Sequence, residues 1–264
     1  MRDAEKVILV AGAGSSGPGW SIGKATSVVL ASTGAKIIAL DCRADAARET
    51  AHEIESRGGA CLPVQGDITD QDEITRALKI ATDSFGPITT FIANAGIGKM
   101  GGIPETSVAD LQAIQRTNVD SLLLLSKMLI PGMIAQGGGA IVSVASIAGI
   151  RYIGYPHLAY SVTKAALIQM TRMIAHEYAD QNIRANTVIP GLIDTPRIRK
   201  NVGAAFSSSN DMDEIRRKRD AQVPMKRMGT PWEVAHAVAF LASEHASYIT
   251  GTELIVDGGL TGKC

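Results

Sequence analysis

Tyr160 and Lys164 stand four residues apart in the stretch Tyr160-Ser-Val-Thr-Lys164. On a helix, positions i and i+4 share a face, so the phenol and the ammonium would point into the same space. A tyrosine with an ordinary pKa of roughly 10 is a poor proton acceptor at neutral pH, and a close cation typically favours the phenolate by about 1 to 3 units. Together the two side chains make a workable acid/base, although the spacing alone is weak evidence. Two further residues sharpen it. Ser146, fourteen residues earlier at the end of a β-like run, offers a hydroxyl to a substrate carbonyl oxygen. Asn118, on a helix-like stretch, could hold a water that links Lys164 to solvent.

A second constellation suits an anion. The run from Val7 leads into AGAGSSGPGWSIGKA, where Gly12, Gly14, Gly17, Gly19 and Gly23 precede a helix-like stretch. Glycines let the backbone approach a pyrophosphate, and a helix N-terminus supplies free N–H groups and a positive dipole end. Eighteen residues after Gly23 comes Asp41, at the end of the second β-like run. A carboxylate there accepts both ribose hydroxyls of an adenosine and repels a 2′-phosphate, which favours NAD over NADP. The absence of Lys and Arg between Gly12 and Gly23 supports that choice, while Arg43 argues the other way. Asp67 with Ile68 would take the adenine amino group and a ring nitrogen, and Asn94-Ala95-Gly96 would let the backbone pass close to a ribose. Taken singly, each of these also reads as a plain turn residue.

These residues need a scaffold that brings them to one edge. Short β-branched runs at 7–12, 36–41, 61–67, 89–96, 140–146, 185–191 and 253–259 alternate with helix-like stretches at 23–32, 44–56, 71–85, 107–136, 160–180 and 231–243. Such alternation predicts βαβ crossovers, hence an α/β fold with a seven-stranded parallel sheet and helices on both faces. In open parallel sheets ligands bind beyond the carboxyl ends of the strands, where most of the residues above fall. No linker or shift of composition divides the chain, so a single domain over 1–264 is expected.

Composition excludes several classes. The 26 Lys plus Arg balance the 26 Asp plus Glu, which leaves no general basic field for nucleic acid. The most apolar stretch, Ser121 to Ile134, is broken by Lys127, Pro131 and Gly132, short of the roughly 18 clean residues of a membrane span. Cys42, Cys61 and Cys264 form no CxxC or Cys/His pattern, so no metal site is expected and a cytoplasmic location is the default.

The same features occur in one order along the chain: the Gly-rich turn, Asp41, Asp67-Ile68, Asn94-Ala95-Gly96, Asn118, Ser146, Tyr160 with Lys164, Pro190-Gly191, and ITGTELIVDGG from Ile249 to Gly259. In this the chain resembles the short-chain dehydrogenase/reductase family over essentially its whole length. The resemblance implies a Rossmann-type doubly wound fold and hydride exchange between a nicotinamide and a secondary alcohol or ketone. It implies Tyr160 as the acid/base, Lys164 on the nicotinamide ribose, Ser146 orienting the reacting oxygen and Asn118 completing a proton relay. After Pro190-Gly191, the backbone of Ile193 would hold the carboxamide, with Thr195 assisting. A homotetramer is the assembly usual in the family.

The turn departs from the family's pattern TGxxxGIG. Ala11 replaces the threonine, and about five residues are inserted around Gly17-Pro18-Gly19-Trp20, so that Gly23 matches the last glycine and Ser21 the middle one. The expectation is that Ser21 and Ile22 meet the pyrophosphate, with Gly12, Gly14 and Gly23 shaping the turn, while the inserted loop covers the adenosine side.

Substrate would be enclosed by residues 97–100, by 147–157 and by a mobile lid at 196–223, since few packed helices tolerate SSSND. Arg151, Tyr152, Tyr155 and His157 suit a polar or aromatic substrate, with His157 reading first as a surface or supporting residue. Arg197, Arg199 and Lys200 would suit a carboxylate or sulfonate, and a solvated lid face suits them better; Arg216 to Asp220 reads as a solvent face. The expected protein is an NAD-dependent dehydrogenase or carbonyl reductase for a small alcohol or ketone. A non-catalytic dinucleotide sensor is the alternative, disfavoured because all four catalytic positions hold residues able to do the chemistry. NADP use or enoyl reduction is a third reading, and the Tyr160–Lys164 spacing with Ser146 counts against enoyl reduction.

Overall fold

The apolar runs have no polar face because both of their faces are covered. In the computed structural model, which describes residues 6–198 and 211–263, the seven strands are β1 (Val7–Ala11), β2 (Lys36–Asp41), β3 (Ala60–Gln65), β4 (Thr90–Ala93), β5 (Gly139–Val144), β6 (Ile183–Pro190) and β7 (Glu253–Val256). They form one sheet in the order β3-β2-β1-β4-β5-β6-β7, and every neighbouring pair is parallel. Alternate residues serve opposite layers. Val7, Leu9 and Ala11 join one core cluster, while Ile8 and Val10 join the other.

The helices follow the expected alternation. On one side lie α1 (Ile22–Ala31), α2 (Ala44–Glu55) and α8 (Pro231–Ala242), whose Val28, Ile54 and Val238 fill the second cluster. On the other lie α3 (Gln71–Phe85), α5 (Ser121–Ala135) and α6 (Leu158–Tyr178), whose Ile74, Leu125 and Leu167 fill the first. The stretch expected as one long helix is α4 (Val108–Gln115), a π-helical turn (Arg116–Asp120) and α5 in unbroken succession. By length and composition this 28-residue run could cross a membrane, yet half of its most apolar window is buried inside the protein, as in a core helix.

The region expected to be a lid contains α7 (Met212–Gln222). Ile215 is fully buried there and Arg219 is buried beside Met228, so Arg216 to Asp220 is not wholly a solvent face. An apolar residue every turn gives even this charged helix an inner side. Arg199, Lys200 and most of SSSND lie outside the described residues.

The largest fully buried side chain is Phe91 on the central strand β4. Phe91→Ala should lower the unfolding free energy by about 3 to 5 kcal/mol in chemical denaturation, whereas Tyr248→Ala, at a fully exposed ring, should stay within about 0.5 kcal/mol.

Candidate functional site

The strand order reverses between β1 and β4, and a cleft of about 570 Å³ opens there at the carboxyl ends. Gly12, Gly14, Ser21, Ile22, Gly23, Asp41, Asp67, Ile68, Asn94, Ala95, Gly96, Tyr160, Lys164 and Thr195 all line it. Backbone packing dictates the glycines. A Cβ on Gly23 would lie 2.0 Å from the Gly12 carbonyl oxygen, and one on Gly12 would lie 2.7 Å from the Ala95 Cα. The Asn94 amide locks the same corner by donating to the Gly12 carbonyl at 2.7 Å.

Ser21 and Ile22 both line the cleft, and the Ser21 hydroxyl is engaged within its own turn. That hydroxyl caps α1 by accepting from the Lys24 N–H at 3.0 Å and donates to the Gly14 carbonyl at 2.8 Å. Anion binding therefore falls to the main-chain N–H groups that open α1, at the positive end of its dipole. The Asp41 carboxylate stands at the rim, accepting from the Gly14 N–H at 2.9 Å and the Arg43 N–H at 3.0 Å. Arg43 turns its guanidinium onto the Ser15 carbonyl and so fastens the inserted loop. Asp67 is both a turn residue and a cleft residue: one oxygen accepts from the N–H and hydroxyl of Thr69, at 2.8 Å each.

The inserted loop does not run where the sequence pointed. Its tip reaches toward the segment after β6, since a Cβ on Gly17 or Gly19 would come within 3.6 or 3.5 Å of Pro196. Trp20 leaves the cleft and packs against Trp232 of α8, ring centroids 4.5 Å apart and planes tilted by 53°, with the Lys24 ammonium 4.7 Å from its ring. Two aromatic rings burying each other outweigh a polar rim position for an indole.

At the other end of the cleft, Tyr160 and Lys164 share a face of α6, with the ammonium 5.7 Å from the phenol ring centroid. Lys164 is buried and donates to the Val144 carbonyl at 2.7 Å. Burial first, and the nearby Arg197 charge second, lower its pKa to about 7. Ser146 ends the β5 segment and caps a short 3₁₀ turn (Ile147–Gly149), whose Gly149 lies so close that a Cβ would be 2.7 Å from the Lys164 carbonyl carbon. That approach holds the Ser146 turn against α6.

Asn118 sits in the π turn and is buried. Its amide donates to the Ile97 carbonyl and the Thr163 hydroxyl, at 2.9 Å each, and its oxygen accepts from the Ile97 N–H at 2.8 Å. The remaining lone pair of that oxygen and the Lys164 ammonium flank one spot, lying 3.2 and 3.3 Å from where a Cβ of Gly96 would be. Thr163 had no signal of its own in the sequence, because a helical Thr one residue before a lysine is ordinary.

Pro190, Gly191 and Ile193 also hold the frame of the cleft. Pro190 ends β6 in register with Val256, and the Gly191 N–H donates to the Val256 carbonyl at 2.9 Å. The Ile193 side chain enters the core, and its bridge to Gly229 uses the Leu192 carbonyl and the Asp194 N–H, which leaves the peptide groups of Ile193 itself for another partner.

Of the two readings given to His157, the structure shows the supporting one, and Arg197 is not a solvated lid residue. His157 is buried and stacks on Tyr160, ring centroids 4.6 Å apart and planes 18° apart, and burial pushes its pKa down to about 4. Arg197 donates to the Gly96 carbonyl at 3.0 Å and places its guanidinium 5.4 Å from the Tyr160 ring centroid. Arg151 and Tyr152 are exposed, and Tyr155 is half-buried beside Arg219.

Residues 17–261 match the family model described as enoyl-(acyl carrier protein) reductase. The chain is 38% identical over 262 residues to an uncharacterized oxidoreductase of Thermotoga maritima, covering 99% of each. It is 35% identical over 260 residues to a cyclohexanol dehydrogenase of Acinetobacter sp. strain SE19, covering 98% of this chain and 96% of that one. The crystal structure of a short-chain type dehydrogenase/reductase from Mycobacterium marinum is similar with a TM-score of 0.87 at 31% identity, covering 98% and 96%.

Because a Cβ at Gly23 meets backbone oxygen, Gly23→Ala should weaken NADH binding by roughly tenfold or more in a fluorescence titration while leaving the far-ultraviolet circular dichroism intact. Lys164 at about 7 is largely neutral at pH 8 in the free protein, and bound phosphates favour the ammonium. NADH binding at pH 8 should then take up protons, seen as a buffer-dependent enthalpy in calorimetry; an enthalpy independent of buffer would mean that Lys164 is already charged.

Proposed function

Since the chain belongs to the short-chain dehydrogenase/reductase family, whose fold binds a nicotinamide dinucleotide, we propose that it is an NAD-dependent oxidoreductase interconverting a secondary alcohol and its ketone. The observation that carries this reading is that Tyr160 and Lys164 line the end of the cleft opposite Asp41, with the Asn118 oxygen and the Lys164 ammonium flanking Gly96 and the turn capped by Ser146 packed against α6. The residues present fit the dinucleotide. The glycine cradle admits backbone within reach of a pyrophosphate, Asp41 stands at the adenosine end, and Asn94 to Gly96 leave room for a ribose. When bound, the nicotinamide would supply or accept the hydride.

The chain's own residues handle the proton and the geometry. The Ser146 hydroxyl holds the reacting oxygen, and the Tyr160 phenolate oxygen takes the proton as the alcohol becomes a ketone, while in reduction the Tyr160 hydroxyl returns it. Lys164, held by the Val144 carbonyl, keeps its remaining N–H groups for the ribose and for a water shared with the Asn118 oxygen. Gly96 has no side chain to fill that place. Proton exchange with solvent then runs from Tyr160 through Lys164 to that water.

Asp41 supports NAD over NADP. Its carboxylate is already oriented by two N–H groups, while Arg43, which would serve a 2′-phosphate, is engaged with the Ser15 carbonyl. A homotetramer accords with the half-exposed apolar side chains Leu123 on α5, Val162 and Met173 on α6, and Ile255 on the edge strand β7.

NADH should bind at least about tenfold more tightly than NADPH, and Asp41→Ser should erase that difference. Tyr160→Phe should cut turnover of secondary alcohols by about 10²-fold or more while NADH still binds. Retained turnover in the Phe variant would sink the enzyme assignment. Light scattering should give four times the chain's mass.

A further inference from the structure

Resting on that reading of the site, we propose that the substrate is a hydroxy acid or oxo acid and that Arg197 binds its carboxylate, which makes Arg197 the residue that sets substrate class. Arg197 lies in the segment that leaves β6 after Pro190, and its guanidinium lies over the acid/base itself, 5.4 Å from the Tyr160 ring centroid. It is half-buried, and its one protein hydrogen bond, from Nη1 to the Gly96 carbonyl at 3.0 Å, leaves four of its five N–H donors for another group.

Charge points the same way. Among the described residues neither Lys164 nor Arg197 has a carboxylate within ion-pair distance; Asp194, near in sequence, faces Arg216 at 3.5 Å. The carboxylates that line the cleft, Asp41 and Asp67, stand at the adenosine end. The Arg197 guanidinium and the Lys164 amine thus share the catalytic end with no counter-charge among the described residues, and a guanidinium left unpaired there is costly. Their mutual effect is visible in Lys164 and His157, both of which the Arg197 charge pushes toward the neutral form.

His157 supplies a second, independent sign of a polar ligand. It is 7% exposed, its two ring nitrogens have no hydrogen-bond partner, and it stacks on the same phenol that Arg197 covers. Buried polar atoms in native proteins are nearly always satisfied, so the unpartnered imidazole, whose Nε2 lies 2.8 Å from where a Cβ of the cleft residue Gly98 would be, offers a polar partner to a group that enters beside the phenol. The flat fork of a guanidinium matches a carboxylate in a bidentate pair, whereas a neutral alcohol offers it a single weak acceptor.

The test uses matched substrates: 3-hydroxybutyrate and its methyl ester, oxidised with NAD by the full-length protein. The acid should exceed the ester in kcat/KM by about 100-fold, and Arg197→Met should collapse that ratio mainly through KM, with Arg197→Lys intermediate. Binding provides a readout free of turnover. In the complex with NADH, butyrate should bind by calorimetry and isobutyramide should not, and Arg197→Met should weaken butyrate at least about tenfold while NADH affinity holds within about twofold.

Failure of butyrate to bind the wild-type complex, or an ester used as well as the acid, would overturn the proposal and leave the alcohol dehydrogenase reading intact. A variant that loses NADH affinity with the acid-to-ester ratio unchanged would reassign Arg197 to the cofactor phosphates and equally overturn it. Failure of the wild type to bind either nicotinamide cofactor would instead strike the function proposed for the site.

Discussion

The site depends on one close approach of backbone to backbone. Gly23, in the first turn of α1, lies where any side chain would run into the Gly12 carbonyl, and the Asn94 amide grips that same carbonyl from β4. This contact sets α1 at the end of β1 and beside β4, at the point where the strand order reverses. The N–H groups of α1 then face the cleft instead of the sheet. Asp41 is fastened to the turn through the Gly14 N–H, so the carboxylate at one end of the cleft and the helix N-terminus near its centre belong to one rigid corner.

The opposite end obeys an electrostatic constraint. Placing an ammonium in the core requires an acceptor for at least one of its protons, which the end of β5 provides in the Val144 carbonyl. Burial still presses Lys164 toward neutrality, and Arg197 adds to that pressure. The Arg197 guanidinium, with no carboxylate at ion-pair distance among the described residues, leaves a net positive field at this end of the cleft, which favours an anion of complementary shape over a neutral group. The stacked His157 keeps the Tyr160 ring in place without adding charge.

Much of the fold was legible because it is periodic. Apolar runs that lack a polar face must be covered on both sides, and β1 shows it, with Leu9 and Val10 serving separate cores. The i, i+4 spacing placed Tyr160 and Lys164 together before any tertiary contact was known. Asn118 was legible as a residue and not as a conformation, since a π turn inside a long apolar helix leaves no compositional trace. The inserted loop was legible as an insertion, but not its direction, which follows from the meeting of Trp20 with Trp232 more than two hundred residues away.

By itself, then, the amino-acid order determined the succession of elements, the parallel sheet and the pairing of Tyr160 with Lys164 on one helix face, because these follow from local periodicity and from residues that share a turn or a helix face. Tertiary structure alone decided what surrounds them. Arg197 reaches the Gly96 carbonyl across 101 positions of sequence, His157 is buried under the phenol, and the Ser21 hydroxyl is spent on its own helix. The physical reason is the same in each case: a polar side chain goes where it finds a partner or a cover, and that depends on which distant segments the sheet brings beside it.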